Sequence, residues 1–138
     1  MIILSQTFTF EAAHFLPSAE EGNHNRRLHG HSFKAEIVVA GQPNPETGIL
    51  IHLEEFYDLC DQKLRSVLDH SFLNEIPCLE HPTLENICSW IWDKIEDDLP
   101  QISEVILYRD SCGQKCRYIK EKVDASHSAT KNKILEEA

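Results

Sequence analysis

The triplet His29-Gly30-His31 is the segment of this sequence best suited to chemistry. On an extended segment, residues i and i+2 face the same way, so both imidazoles project together. Zinc takes neutral imidazole nitrogens, and a catalytic zinc keeps three protein ligands and one open position. Gly30, between the two histidines, permits close backbone approach. His14 closes the preceding extended run, and a hairpin can set it beside the pair as a third ligand. Two surface histidines near a loop would give the same spelling. The position of His14 favours a zinc site built from His14, His29 and His31. Three neutral ligands would leave the ion its full charge for polarising a hydroxyl or carbonyl.

Other signals are weaker when taken singly. Asp69 and His70 are adjacent at the end of an apolar, helix-patterned run. A carboxylate beside a histidine can fix its tautomer and raise its basicity, although a helix end with a solvated histidine reads the same way. Asp110 closes a later apolar run, where it can hold the guanidine-like edge of a heterocycle or simply meet solvent. Cys112 and Cys116 have neither the spacing nor the second pair of a zinc ribbon, and their proximity reads as incidental.

The elements that must position these groups follow from periodicity. Residues 2–13 alternate as a strand, and 17–27 form a polar loop containing Pro and Gly. Residues 29–40 alternate again, with Phe33, Ala35, Ile37 and Val39 on one face. A turn at 41–48 leads to a helix over 54–68, with Glu54 and Glu55 in its first turn. Residues 69–82 read as a connecting loop. A second helix spans about 84–98, capped by Thr83 and stopped by Pro100. Strands are expected at 103–110 and 115–120. The order ββααββ suits a two-layer α+β domain over residues 1–120, with a four-stranded antiparallel sheet and a polar C-terminal extension over 121–138. Such an open sheet has two free edges, which favour assembly with other copies.

Composition narrows the function class. The chain has 138 residues, 41% hydrophobic and 26% charged, with a formal net charge of −10. An acidic chain is a poor general binder of nucleic acid or of anionic membranes, so neither is expected as a partner. No apolar run reaches the roughly 18 residues needed to span a bilayer, and the N-terminal run reads as a strand rather than an export signal. A cytoplasmic location is expected. The five cysteines are an odd number, and Cys60 and Cys88 fall on apolar helix stripes, where they pack as reduced thiols.

Taken together and in order, several runs carry a resemblance: FTFEAAHFLP (8–17), RLHGHSFKAEI (27–37), TGILIHLEEF (47–56), LDHSFLNEIP (68–77), PTLENICSWIW (82–92) and the Asp110-Ser111-Cys112 strand end. The chain resembles the 6-pyruvoyltetrahydropterin synthase family, most of all its bacterial 6-carboxytetrahydropterin synthase branch in queuosine biosynthesis. The resemblance implies the tunnelling fold, a four-stranded antiparallel sheet with two helices on one face. It implies assembly, commonly as a hexamer, with active sites between subunits. It also implies Zn2+ on His14, His29 and His31 and a substrate like 7,8-dihydroneopterin triphosphate. In the bacterial branch the products are 6-carboxy-5,6,7,8-tetrahydropterin, acetaldehyde and triphosphate. His70, oriented by Asp69, would join the proton relay. Asp110 would anchor the pterin, and Arg27, with Arg26 beside it, would meet the triphosphate.

Three positions depart from the family pattern. Asn25 stands where the bacterial branch has its catalytic cysteine, and no cysteine lies in residues 1–59. An amide is neither a base nor a nucleophile at neutral pH. Asp110 stands for the pterin-anchoring glutamate, one methylene shorter, and His52 stands where an aspartate is usual. His24, next to Asn25, is a candidate replacement base, although it also reads as an exposed loop residue. The leading expectation is a zinc-dependent pterin synthase-like lyase. The alternative from another class is a zinc- and pterin-binding protein of the same fold without synthase activity.

Overall fold

The computed structural model describes residues 1–120; the expected extension over 121–138 lies outside the described residues. The chain opens with a long hairpin. Strand β1 (Ile2–His14) pairs antiparallel with β2 (His29–Gly41) along its whole length. Alternation sends Phe10, Ala12 and His14 of β1, with Phe33, Ala35, Ile37 and Val39 of β2, to one buried face. Phe10 stacks on Phe33 with centroids 4.9 Å apart.

Two helices cover that face. The first runs over 53–68: α-helical at Leu53–Cys60, a π turn at Asp61–Arg65, and α-helical again at Ser66–Leu68. Phe56, Cys60, Leu64 and Leu68 are buried along it. His52 stands at its N-cap without a side-chain cap bond. The second helix (Leu84–Ile95) is capped by Thr83, whose hydroxyl accepts from the Asn86 N–H at 3.2 Å. It buries Ile87, Cys88, Ile91 and Ile95 against the sheet and closes in a short 3-10 turn (Glu96–Asp98) before Pro100. No helix among the described residues is long and apolar enough to cross a membrane.

The sheet has five strands rather than the expected four, and it is mixed rather than wholly antiparallel. Strands β4 (Ile102–Arg109) and β5 (Gln114–Ile119) extend the hairpin on the β2 side. On the other side a two-residue strand, β3 (Ser71–Phe72), pairs parallel with β1 at Ala12 and Ala13. It lies inside the stretch read from sequence as loop. The chain leaving the first helix turns at His70, whose φ is +58°, and the His70 N–H then donates to the Glu11 carbonyl at 2.6 Å. Two residues are too few to show a period, so the pattern carries no sign of them. Strand β4 also ends one residue earlier than expected, placing Asp110 in a 3-10 turn (Asp110–Cys112) before Gly113 at φ +67°.

Candidate metal centre

The long hairpin fixes the three histidines. His14, the last residue of β1, lies directly across from His29, the first of β2, and His31 follows two residues on. All three rings meet at the end of the buried face, with one ligand nitrogen from each within 4.8 Å of the others. Gly30 lies between them. A Cβ there would come 3.3 Å from the Ala12 carbonyl oxygen, tighter than most such contacts, so a side chain would push the two strands apart.

Backbone carbonyls set the tautomers of two rings. His14 Nδ1 lies 2.9 Å from the Pro82 carbonyl and His29 Nδ1 lies 2.7 Å from the Arg27 carbonyl. A carbonyl only accepts, so each Nδ1 carries the proton and each Nε2 keeps a lone pair. His14 is 1% exposed, and its Nε2 is buried without a hydrogen-bond partner. Orphaned buried polar atoms are rare in native structures, and here the orphan faces two more imidazoles. Burial lowers the pKa of His14. Burial, with the Arg109 charge next in importance, lowers that of His31 to about 4. Neutral rings are the form in which histidine binds metal. The donor set, the carbonyl partners and the orphaned Nε2 fit a divalent ion such as zinc.

A cleft of about 460 Å³ adjoins the centre, lined by Glu11, Gly30, His31, Ser32, His70 and Ser71 among others. The structure thus brings His70 to a cleft that His31 also lines. The His70 side chain is 81% exposed, and its Nδ1 lies 3.0 Å from Asp69 Oδ2. The other oxygen, Oδ1, accepts from the Glu11 N–H at 2.9 Å, and Arg65 Nη2 lies 3.2 Å from Oδ2. These bonds, the Glu11 N–H foremost, hold the Asp69 carboxyl below the usual range, so it stays ionised. An ionised acceptor keeps the proton on His70 Nδ1 and leaves Nε2 its lone pair.

The other sequence candidates stand apart within one chain. Asp110 does not line the cleft; it is exposed and pairs with Lys34 at 3.3 Å. Lys34 follows the buried Phe33, so by alternation it points away from the helices. His24 is exposed in a 3-10 turn (His24–Arg26), and neither it nor Arg27 lines the cleft. Asn25 is half-buried, and its carbonyl accepts from the Leu16 N–H at 2.7 Å, pinning the loop to the end of β1. One residue was missed in the sequence. Arg109 reaches the centre, its Nη1 3.3 Å from His31 Nε2. The signal was available, since Val105 and Leu107 are buried on the helix side and alternation carries Arg109 onto the same face.

Comparison with known proteins now places the molecule. Sheet, paired helices and hairpin-end histidines define a tunnelling-fold α+β protein, and the chain belongs to the 6-pyruvoyl tetrahydropterin synthase family, whose sequence model matches residues 3–130. That match runs past residue 120, into the segment read from sequence as an extension. The chain is 37% identical over 123 residues to a 6-carboxy-5,6,7,8-tetrahydropterin synthase from Synechocystis sp., covering 86% of this chain and 93% of the relative. It is 35% identical over 92 residues to a dihydroneopterin monophosphate aldolase from Pyrococcus furiosus, covering 67% of this chain and 73% of the relative. The fold matches the structure of Caenorhabditis elegans 6-pyruvoyl tetrahydropterin synthase with a TM-score of 0.75 at 18% identity, covering 87% of this chain and 96% of that one. The chain is thus pterin synthase-like, of the lyase kind.

Proposed function

We propose that the protein is a zinc-dependent lyase that cleaves the side chain of 7,8-dihydroneopterin triphosphate, acting as a 6-carboxy-5,6,7,8-tetrahydropterin synthase. The observation that carries this reading is one cleft lined both by His31 of the metal-competent trio and by the Asp69-held His70. The resemblance to the Synechocystis enzyme, at 37% identity, supports the choice of substrate and of the queuosine pathway.

His14, His29 and His31 would hold the ion through ring nitrogens. Zinc there would supply Lewis acidity, lowering the cost of ionising a side-chain hydroxyl. His70 Nε2 would take protons from the substrate side chain and return them, while Asp69 holds its Nδ1–H. The balanced reaction consumes one water and releases acetaldehyde and triphosphate. Asp110 would anchor the pterin in the cleft of a neighbouring subunit, since it does not line the cleft of its own chain. The edge strand β5 and the length of β1 beyond its short pairing with β3 would supply the contacts of such a homo-oligomer, a hexamer by family likeness. Arg27, exposed beside the metal hairpin, would meet the triphosphate.

A second reading is favoured by Asn25. With no thiol in residues 1–59, the chain can stop at retro-aldol cleavage of the side chain, the kind of reaction named for the aldolase it resembles. Incubating zinc-loaded protein with 7,8-dihydroneopterin triphosphate and resolving the products by mass separates these. 6-Carboxytetrahydropterin supports the synthase. A pterin that has lost its side chain without gaining the carboxylate supports the lyase that stops early. Unchanged substrate, with zinc and pterin still bound, would leave only a binding protein, and His24→Ala with unchanged turnover would remove His24 from the relay.

A further inference from the structure

Arg109 is the group at the metal centre that the reading above leaves without work. Two of its three nitrogens are poorly matched to their surroundings. Nη2 donates to Gln114 Oε1. Nη1 has His31 Nε2 at 3.3 Å, and Nε is buried with no partner at all. Among the described residues no carboxylate forms an ion pair with this guanidinium, while its neighbour Asp110 is engaged with Lys34. A buried, unpaired N–H on a cation is costly, and a protein keeps one where something else completes it.

What completes it follows from charge. His31 Nε2 is the lone pair that a metal would claim. With that lone pair taken, Arg109 Nη1 loses its acceptor and joins Nε as an unused donor. Three neutral histidines and a divalent ion carry two positive charges, and Arg109 adds a third. Only an anion satisfies the donors and the charge together. A guanidinium's forked N–H groups match the two oxygens of a carboxylate or phosphate.

We propose that Arg109 and the three-histidine centre form one oxyanion clamp, which holds an anionic oxygen group of the substrate or product between them. The clamp rests on the metal reading above. The reaction proposed there creates a carboxylate on the pterin, and such a carboxylate has the charge and the two-oxygen edge that Arg109 lacks. Arg109 would thereby favour the product that carries a carboxylate directly on the ring carbon. The ester phosphate of the substrate is the other source of the same chemistry.

The test uses Co2+ as a visible probe and needs no turnover. The full-length protein is loaded with Co2+, and its absorption bands are followed while glycolate, inorganic phosphate or imidazole is added. Glycolate is expected to bind the wild type and to bind Arg109→Met about tenfold or more weakly, with Arg109→Lys recovering part of the loss. Imidazole is a neutral ligand for the same metal and is expected to bind both proteins equally, which separates a lost charge from a damaged site. If phosphate rather than glycolate shows the dependence on Arg109, the clamp stands and its source is the ester phosphate. Equal affinity of Arg109→Met and wild type for both anions overturns the clamp alone. So does a parallel loss of glycolate and imidazole binding. Failure of the wild type to bind Co2+ stoichiometrically overturns the metal reading and the clamp together.

Discussion

His31 and His70 line one cleft, yet the hairpin trio to which His31 belongs and His70 are held by opposite means. His14 is buried, and a backbone carbonyl orients its ring, as another does for His29. Both sit on strands paired residue for residue from Ile2 to Gly41. His70 is 81% exposed, in a left-handed turn, with one side chain orienting its ring. A metal needs ligands fixed before it arrives, because any reorganisation is subtracted from its affinity. A base needs an open path to solvent and substrate. On the proposed function, the difference in anchoring would divide the labour between ion binding and proton transfer.

Substitutions sharpen that division. The largest effect is expected at the rigid end. His14→Ala should reduce bound zinc from about one ion per chain to a small residue, measured by elemental analysis after dialysis. Zinc retained at full stoichiometry would break the comparison. At the open end, asparagine is the appropriate change, since it tolerates the left-handed backbone. His70→Asn should leave zinc content intact and lower turnover by about 100-fold to 10,000-fold. Asn25→Cys puts a thiol on the loop pinned to the end of β1, and should raise formation of 6-carboxytetrahydropterin by about tenfold if the missing thiol limits the synthase reaction. Gly30→Ala crowds the Ala12 carbonyl and should weaken zinc binding by only about two- to tenfold, read by chelator competition. The smallest effect lies outside both regions. His52→Asp would give the first helix the side-chain cap it lacks, and should raise unfolding stability by about 1 kcal/mol with zinc affinity and turnover unchanged.

Much of this architecture can be read from period alone. The hairpin, both amphipathic helices and the convergence of His14, His29 and His31 rest on strong alternation or helical spacing. The remainder was hidden for physical reasons. Strand β3 is two residues long and is set beside β1 by the Glu11 backbone, whose carbonyl accepts from the His70 N–H and whose N–H donates to the Asp69 carboxylate, not by its own pattern. The π turn at Asp61–Arg65 adds a residue to one turn while the apolar stripe still closes on Leu64 and Leu68. Arg109 carries no signal beyond its place in the strand expected at 103–110, although its strand parity points inward. Asp110 falls in the turn just past β4 rather than at the strand end, and it pairs with Lys34, which points away from the helices. Sequence spacing gives the side on which a residue stands only when the strand's last residue is known.

Asp69 holds a consequence for how such a protein can change over time. One of its oxygens orients His70 and the other fastens the turn to Glu11 of β1, three residues before His14. On the proposed function, the residue would serve the reaction and the architecture through the same carboxylate. A descendant released from catalysis could discard the exposed His70 at once, while Asp69 would still be retained to keep the metal strand in register. On the proposed role of His70, an aspartate at this place without its histidine would then be the fossil of a lost activity.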